Sequence, residues 1–124
     1  MLRRERYVGD ITMLSADEDL PYDRPNLSKG YLAGSAGEDS NPLRSPEFYR
    51  EHGIEVKLGA RVVAIDAASR HVQMEDGSRH SYDALLLATG AEPVLLDVPA
   101  ASLPPVHYLR ARAGSRRRPA APRP

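Results

Sequence analysis

Two apolar runs separated by a helical pattern constrain the fold of this chain most. DITMLS (10–15) is led by Ile and Thr, and YDALLLATGAEP (82–93) contains an unbroken run of apolar residues. Such a run is typical of a parallel strand that is covered on both faces. Between them, SPEFYREHG (45–53) begins with Ser-Pro and ends with Gly, which predicts a short helix. A strand, a helix and further strands in this order predict an α/β fold with a parallel sheet.

The hydrophobic period changes to two after the predicted helix. IEVKL (54–58) alternates, and ARVVAID (60–66) is rich in β-branched residues. The next two segments, 71–76 and 78–82, flank Asp-Gly, which is a strong hairpin turn signal. Residues 60–82 therefore predict an antiparallel β-meander inserted into the α/β domain. At the start of the chain, LRRERY (2–7) predicts the last turns of a helix, with Gly9 as its C-terminal cap.

Charge separates an acidic body from a basic tail. All seventeen acids lie in residues 1–109 against eleven Lys and Arg, a formal charge of −6, while the last fifteen residues carry six Arg and no acid. The Arg, Pro and Ala of residues 113–124 cannot bury enough apolar surface to offset their ordering entropy, so we predict a disordered tail. Phosphate binding by this tail is disfavoured, because no aromatic residue or recognition fold accompanies the arginines.

Composition also excludes several classes of site. Without cysteine, the chain can hold no disulfide, thiolate metal site or dithiol redox centre. No apolar run is long enough to span a bilayer and no signal peptide is visible, so we expect a cytoplasmic protein without a membrane partner. The four His are scattered, at positions 52, 71, 80 and 107. We therefore predict no metal site and assign no catalytic residue.

Three groups of residues could hold a ligand. Asp17 follows the first predicted strand, where a doubly wound dinucleotide fold places an acid that binds a ribose hydroxyl; alternatively, it is an acid in an exposed loop. Arg24 and Lys29 lie in a turn that is stiffened by prolines, and could face a pyrophosphate or an electron-rich ring; alternatively, they are solvated charges. The segment Ala88-Thr89-Gly90 would let the backbone approach a ligand closely, although many buried strands end in Thr-Gly without binding anything.

Together these segments resemble one family. ITMLSADEDLPYDRPNLSK, IEV-x-LGARVVAID, YDALLLATGAEP and VHYLR occur in the order and at the spacing of the ferredoxin, rubredoxin and putidaredoxin reductases. That group, with the apoptosis-inducing-factor-like proteins, belongs to the FAD-dependent pyridine nucleotide-disulfide oxidoreductase superfamily. The resemblance covers about residues 1–112, and LPYDRPNLSK is its most specific part. It implies a Rossmann-like FAD-binding domain.

The resemblance also implies an activity and a set of cofactor contacts. Family members pass a hydride from NADH or NADPH to FAD, and then single electrons to a ferredoxin- or rubredoxin-like iron–sulfur protein. Asp17, with Ala16 beside it, would hold the adenosine ribose, and the backbone of Val62 would meet the adenine. The remaining implied FAD contacts are Arg24, Lys29, Ala88, Thr89 and Gly90.

The chain departs from the family pattern at its start. The family begins with a strand and a G-x-G-x-x-G loop, and neither is found here, so residues 1–112 are expected to form a partial FAD/NAD(P)-binding domain. Two hypotheses follow. The chain is a fragment of an FAD-dependent NAD(P)H oxidoreductase, or it is a non-catalytic remnant or interaction module that binds no cofactor by itself. In either case, the parallel sheet would expose an unpaired edge.

Overall fold

The computed structural model describes residues 2–30, 33, 35, 42–95, 97, 108, 110 and 111. The chain divides into two compact units, which are drawn from Met1–Pro21 with Leu43–Leu87 and from Tyr22–Pro42 with Ala88–Pro124. The predicted tail, residues 113–124, lies outside the described residues. No helix in the described part is long and apolar enough to cross a membrane.

A parallel strand pair forms one part of the first unit. Strand β1 (Ile11–Leu14) pairs with strand β2 (Ile54–Lys57), with Ile11 opposite Ile54. Helix α1 (Pro46–Glu51) precedes β2 along the chain and packs against it. This arrangement confirms the predicted α/β layout. β1 is less buried than we predicted, however. Ile11 and Leu14 are half-buried, and Thr12 and Met13 are exposed.

Helix α1 begins and ends where the sequence predicts. The Ser45 hydroxyl oxygen accepts a hydrogen bond from the Phe48 N–H at 3.4 Å, which satisfies one of the free donors of the first turn. The helix ends at Glu51, and Gly53, just past the C-cap residue His52, has a φ of 57° in the left-handed region that glycine adopts without strain. Tyr49 is the buried residue of the helix, at 7% exposure. Local signals alone therefore define this element.

The antiparallel meander is also confirmed. Its three strands are consecutive neighbours, and they are β3 (Val62–Asp66), β4 (His71–Met74) and β5 (Arg79–Ser81). Val72 and Met74 alternate along the central strand and are both buried. The register shifts between Val62 and Ala64, so β3 contains a bulge close to its start.

Aspartates organise two turns of the meander. The Asp66 carboxylate accepts hydrogen bonds from the N–H groups of Ala68 and Ser69, at 3.0 Å each. The Asp76 carboxylate accepts from the hydroxyl of Ser78 at 2.6 Å and from its N–H at 2.9 Å. Hydrogen bonds from Ser69 lower the pKa of Asp66, and those from Ser78 lower the pKa of Asp76. Both turns are thus stabilised by the ionised form of an aspartate.

These pKa shifts predict that acid weakens the meander. A carboxyl whose pKa is lower in the folded state contributes stability above its unfolded pKa, about 4, and loses it as the pH falls through the folded pKa. We expect the urea midpoint to drop on acidification below that pH, and Asp66→Asn with Asp76→Asn to flatten the decrease. The exposed Asp83 supplies the control substitution Asp83→Asn. An unchanged slope in the double variant would contradict this origin.

The predicted helix at residues 2–7 is wrong in extent. The structure has a single hydrogen-bonded turn there, in which the Tyr7 N–H donates to the Leu2 carbonyl at 3.1 Å and the Arg6 N–H donates to the Arg3 carbonyl at 3.2 Å. This pair of bonds is the Schellman pattern that ends helices. Arg6, with φ of 60°, takes the left-handed position, and Gly9 does not. The prediction of a helix end is therefore correct, but its cap residue in the left-handed conformation is Arg6 and not Gly9.

The predicted strand at 82–93 is also wrong. Residues 82–93 form no strand, and the apolar run is exposed, with Leu86 at 88% and Leu87 at 63%. A strand exists only when a neighbour accepts and donates its backbone hydrogen bonds. Among the described residues, β1 pairs with β2 and the meander strands pair with one another, so no strand partner is available for this segment.

The second unit contains the proline-rich turn that the sequence singled out. Residues Arg24–Ser28 form a short 3₁₀ helix, with Pro25 in its first turn. Leu27 is 2% exposed and Tyr22 is 7% exposed, so the turn is anchored by two buried side chains. Tyr22 also forms an isolated β-bridge with Pro42. The turn is thus a packed element with a defined conformation.

Candidate functional site

In the first unit, Asp17 lies just past the carboxyl end of β1. The Ser15 N–H donates to the Lys57 carbonyl at 3.0 Å, and the Ala60 N–H donates to the Ser15 carbonyl at 2.7 Å. The Gly59 N–H donates to the Asp17 carbonyl at 3.0 Å. The chain beyond β1 is therefore held against the chain beyond β2. Asp17 itself is half-buried, and Ala16 beside it is exposed.

The side chain of Asp17 belongs to a compact turn. Its N–H donates to the Ser15 hydroxyl oxygen at 3.2 Å, and its carboxylate accepts from the Asp19 N–H at 3.4 Å. These bonds limit the directions in which the carboxylate can point. The structure thus places Asp17 at the strand end that the ribose assignment needs, while the assignment itself stays a prediction.

Val62 lies near the same end of the parallel pair as Asp17. It begins β3 only two residues after Ala60, whose N–H bonds to Ser15. The Arg61 carbonyl accepts from the Glu75 N–H at 2.9 Å, which fixes the start of the meander. Val62 is 37% exposed, so its backbone is near the surface. The three residues assigned to the adenosine half of a cofactor, Ala16, Asp17 and Val62, therefore lie in one unit.

In the second unit, the 3₁₀ helix presents two cations to solvent. Arg24 and Lys29 are both exposed, at either end of the segment that Leu27 anchors. The Arg24 guanidinium lies over the Tyr22 ring at 5.4 Å from its centroid, a cation–π contact that restricts its direction. The structure thus places both cations on an anchored turn.

Arg110 joins this turn to the Ala-Thr-Gly segment. The Arg24 Nη1 donates to the Arg110 carbonyl at 2.9 Å, and the Arg110 Nη2 donates to the Thr89 carbonyl at 3.5 Å. The Arg110 Nε also forms an ion pair with Glu92 at 3.4 Å. The sequence reasoning missed this residue because it counted Arg110 among the arginines of the basic tail. Its place in VHYLR, outside the Pro- and Ala-rich stretch, was the available signal.

Gly90 makes close packing possible at this point. Its φ is 72°, and a Cβ added there would lie 3.2 Å from the Arg110 Nη2. A larger residue would be strained by its backbone and would also push the guanidinium away. Ala88 and Thr89 precede it and are exposed. Five of the predicted contact residues are thus in one unit with Arg110, namely Arg24, Lys29, Ala88, Thr89 and Gly90.

A surface groove elsewhere does not coincide with these residues. It has a volume of about 390 Å³ and lies at the start of β1 and β2, lined by Asp10, Ile11, Thr12, Arg50, Gly53, Ile54 and Glu55. Asp17 lies beyond the opposite end of β1. Parallel α/β sheets bind ligands at the carboxyl ends of their strands, so we do not assign the groove to a cofactor.

The parallel strand pair, with helix α1 packed against its second strand, is an α/β arrangement. The pyridine nucleotide-disulphide oxidoreductase family matches residues 1–120, and the chain belongs to this family.

The chain is similar to several reductases of known name. The chain is 42% identical over 109 residues to rhodocoxin reductase from Rhodococcus erythropolis, covering 88% of this chain and 26% of that protein. A ferredoxin reductase for the CYP199A2 system from Rhodopseudomonas palustris superposes with a TM-score of 0.85 at 40% identity, over 93% of this chain and 28% of that one. The chain also superposes on a covalent putidaredoxin reductase–putidaredoxin complex with a TM-score of 0.74 at 38% identity, over 78% of this chain and 23% of that one. The chain thus spans about a quarter of the length of these relatives.

Proposed function

We propose that this chain supplies part of the FAD site of an NAD(P)H-dependent reductase that delivers electrons to a ferredoxin- or rubredoxin-like iron–sulfur protein. The observation that carries the proposal is the cluster in the second unit. There, Arg110 joins the Arg24 turn to Thr89 and Gly90, although these segments lie far apart in the sequence. Family membership supports the same reading.

Asp17 and Val62 would contact the adenosine part of the cofactor. The Asp17 carboxylate would accept hydrogen bonds from the ribose hydroxyls, and these bonds are strong because the acceptor is charged. The backbone at Val62 would contact the adenine. The bonds from Gly59 and Ala60 to the chain beyond β1 keep both positions at one end of the parallel pair. These residues therefore fit the polar end of a dinucleotide.

Arg24, Lys29 and the segment Ala88-Thr89-Gly90 would also contact the FAD. Lys29 and Arg24 would supply positive charge to the phosphates or to the electron-rich ring. Arg110 would hold the turn and the Thr89 carbonyl in place, and Gly90 would allow close approach of the backbone. Glu92 pairs with Arg110 and so fixes the direction of the guanidinium. The donors and the glycine of this cluster fit an anionic, planar ligand.

Bound FAD would accept a hydride from NADH or NADPH and release electrons one at a time. The contribution of this chain is to bind and orient that cofactor. The acceptor assignment rests on relatives that include a putidaredoxin reductase in complex with putidaredoxin. The alternative, that the isolated chain is a remnant or interaction module without cofactor, stays a prediction. It is favoured by the exposed leucines at 85–87, which have no strand partner among the residues that the structure describes.

A chimera tests the proposal with a complete host protein. Residues 1–110 of this chain would replace the matching segment of rhodocoxin reductase, to which it is 42% identical. We expect the purified chimera to retain flavin after desalting and to catalyse NADH-dependent reduction of the host's electron acceptor. If the chimera folds but is purified without flavin, while the unmodified host retains its flavin, the proposed function is overturned.

Lys29 provides a specific prediction in that chimera. Lys29→Met removes one positive charge at an exposed position, so we expect folding to be unaffected while flavin reduction slows by about tenfold. Stopped-flow absorbance of the flavin would measure the rate. Lys57→Met, at the end of β2, removes the same charge elsewhere and is the matched control. Equal reduction rates in Lys29→Met and the parent chimera would remove Lys29 from the site.

A further inference from the structure

Asp76 and Gly77 lie at the tip of the hairpin between β4 and β5. The Gly77 N–H donates to the Met74 carbonyl at 3.0 Å, and the Met74 N–H donates to the Ser78 carbonyl at 2.8 Å. Gly77 has a φ of 85°, in the left-handed region. Residues 75–77 therefore form a three-residue hairpin loop, in which a tight turn is followed by a glycine bulge.

This pair of residues can react with itself. The backbone nitrogen of Gly77 attacks the side-chain carbon Cγ of Asp76, so that an N–Cγ bond forms and the Cγ–OH bond breaks. The hydroxyl and the amide proton leave as water, and the product is a five-membered succinimide ring. Water then adds across either C–N bond of this imide and gives aspartate or isoaspartate. In isoaspartate the main chain runs through Cγ.

The surroundings of Gly77 leave the reaction unobstructed. Asp76 and Gly77 are both exposed, so water reaches the ring. A Cβ placed on Gly77 would meet no atom of a more distant residue within 4 Å, and the glycine itself has none to block the approach to Cγ. The other aspartate turn of the meander differs, because Asp66 is followed by Ala67, whose Cβ obstructs the same attack. Asp-Gly occurs only once in the chain.

Hydrogen bonds in the folded hairpin restrain both reacting groups. The carboxyl can lose its hydroxyl as water only when it is protonated. The bonds from the Ser78 hydroxyl and N–H, with the nearby charge of His80, lower the pKa of Asp76 and so favour the unreactive, ionised form. The bond from the Gly77 N–H to Met74 fixes the peptide plane, so the nitrogen cannot turn towards Cγ without breaking it.

We propose that Asp76-Gly77 is a site of spontaneous isoaspartate formation, and that Ser78 protects it in the folded hairpin by binding the Asp76 carboxylate. Opening of the hairpin removes this protection. Isoaspartate adds a methylene to the main chain, so it also disrupts the register in which Gln73 lies opposite Arg79. The modification is therefore coupled to the stability of the meander.

Peptide mapping by mass spectrometry tests the site in the full chain. At about pH 5, above the ordinary aspartate pKa of about 4, isoaspartate at position 76 should accumulate at least about tenfold faster in urea than in the folded protein. Asp66 is the internal reference and should stay unmodified in both. Asp76→Glu should give far less product in urea, because its longer side chain must close a six-membered ring. Equal rates with and without urea, or equal modification at positions 66 and 76, would overturn the proposal.

Substitution of Ser78 tests the protection separately. In the folded chain, Ser78→Ala should speed isoaspartate formation by about fivefold, since a hydrogen bond to the carboxylate is lost. Ser78→Thr keeps the hydroxyl and should keep the slow rate. Ser81→Ala, at an exposed position on β5, is the matched control and should react like the parent. In urea all four proteins should react equally, because the bond exists only in the folded hairpin. A folded Ser78→Ala variant that reacts no faster than the parent would show that Ser78 gives no protection.

Discussion

FAD affinity should fall by about a hundredfold when Asp17 is replaced by Ala in the rhodocoxin reductase chimera. The carboxylate is expected to accept two hydrogen bonds from the ribose, and bonds to a charged group contribute about 1.5 kcal/mol or more each. Asp17→Asn keeps one acceptor oxygen and should lose less affinity. Flavin fluorescence during titration of the apoprotein with FAD would give the dissociation constants.

Glu18 supplies the matched control for that experiment. It is the next residue along the chain, it is also acidic, and it is exposed. Glu18→Ala should therefore leave FAD affinity within about twofold of the parent chimera. If Asp17→Ala and Glu18→Ala lower the affinity equally, the effect belongs to the general charge of the loop. The ribose assignment would then be wrong.

Elements defined by local signals could be predicted from the sequence. The Ser-Pro start and Gly end of α1, and the Asp-Gly turn of the meander, each satisfy their own backbone groups within a few residues. Such elements do not need distant partners, so their boundaries follow from residue types. The parallel pairing of β1 with β2 was predictable because a helix connects them in the usual crossover order.

Features that depend on distant partners could not be predicted in the same way. Residues 82–93 have the composition of a buried strand, but a strand also needs a neighbour, and the described part of the chain provides none. Arg110 was missed for a related reason. Its role depends on contacts with Arg24 and Thr89, many residues away, and no spacing rule indicates them.

Arg3 makes long-range contacts that the sequence does not reveal, because it is followed directly by three other charged residues, Arg4, Glu5 and Arg6. Its guanidinium donates to the Tyr7 carbonyl at 2.6 Å and the Gly9 carbonyl at 2.8 Å. It also donates to the His52 carbonyl at 2.8 Å and the Gly53 carbonyl at 2.9 Å. The last two lie at the C-terminal end of α1, where a positive charge is favourable. Arg3 therefore links the turn before β1 to the crossover helix.

Arg3→Met should lower the free energy of unfolding by about 2 to 3 kcal/mol, because four charge-assisted hydrogen bonds are lost from a half-buried position. Arg3→Lys keeps the charge, but one ammonium cannot reach four carbonyls in the geometry of a guanidinium, so about half of the loss should remain. Urea unfolding would measure both. Arg4→Met, at an exposed neighbour, should change stability by less than about 0.5 kcal/mol. If Arg4→Met and Arg3→Met are equally destabilising, the local charge matters and the four-carbonyl contact does not.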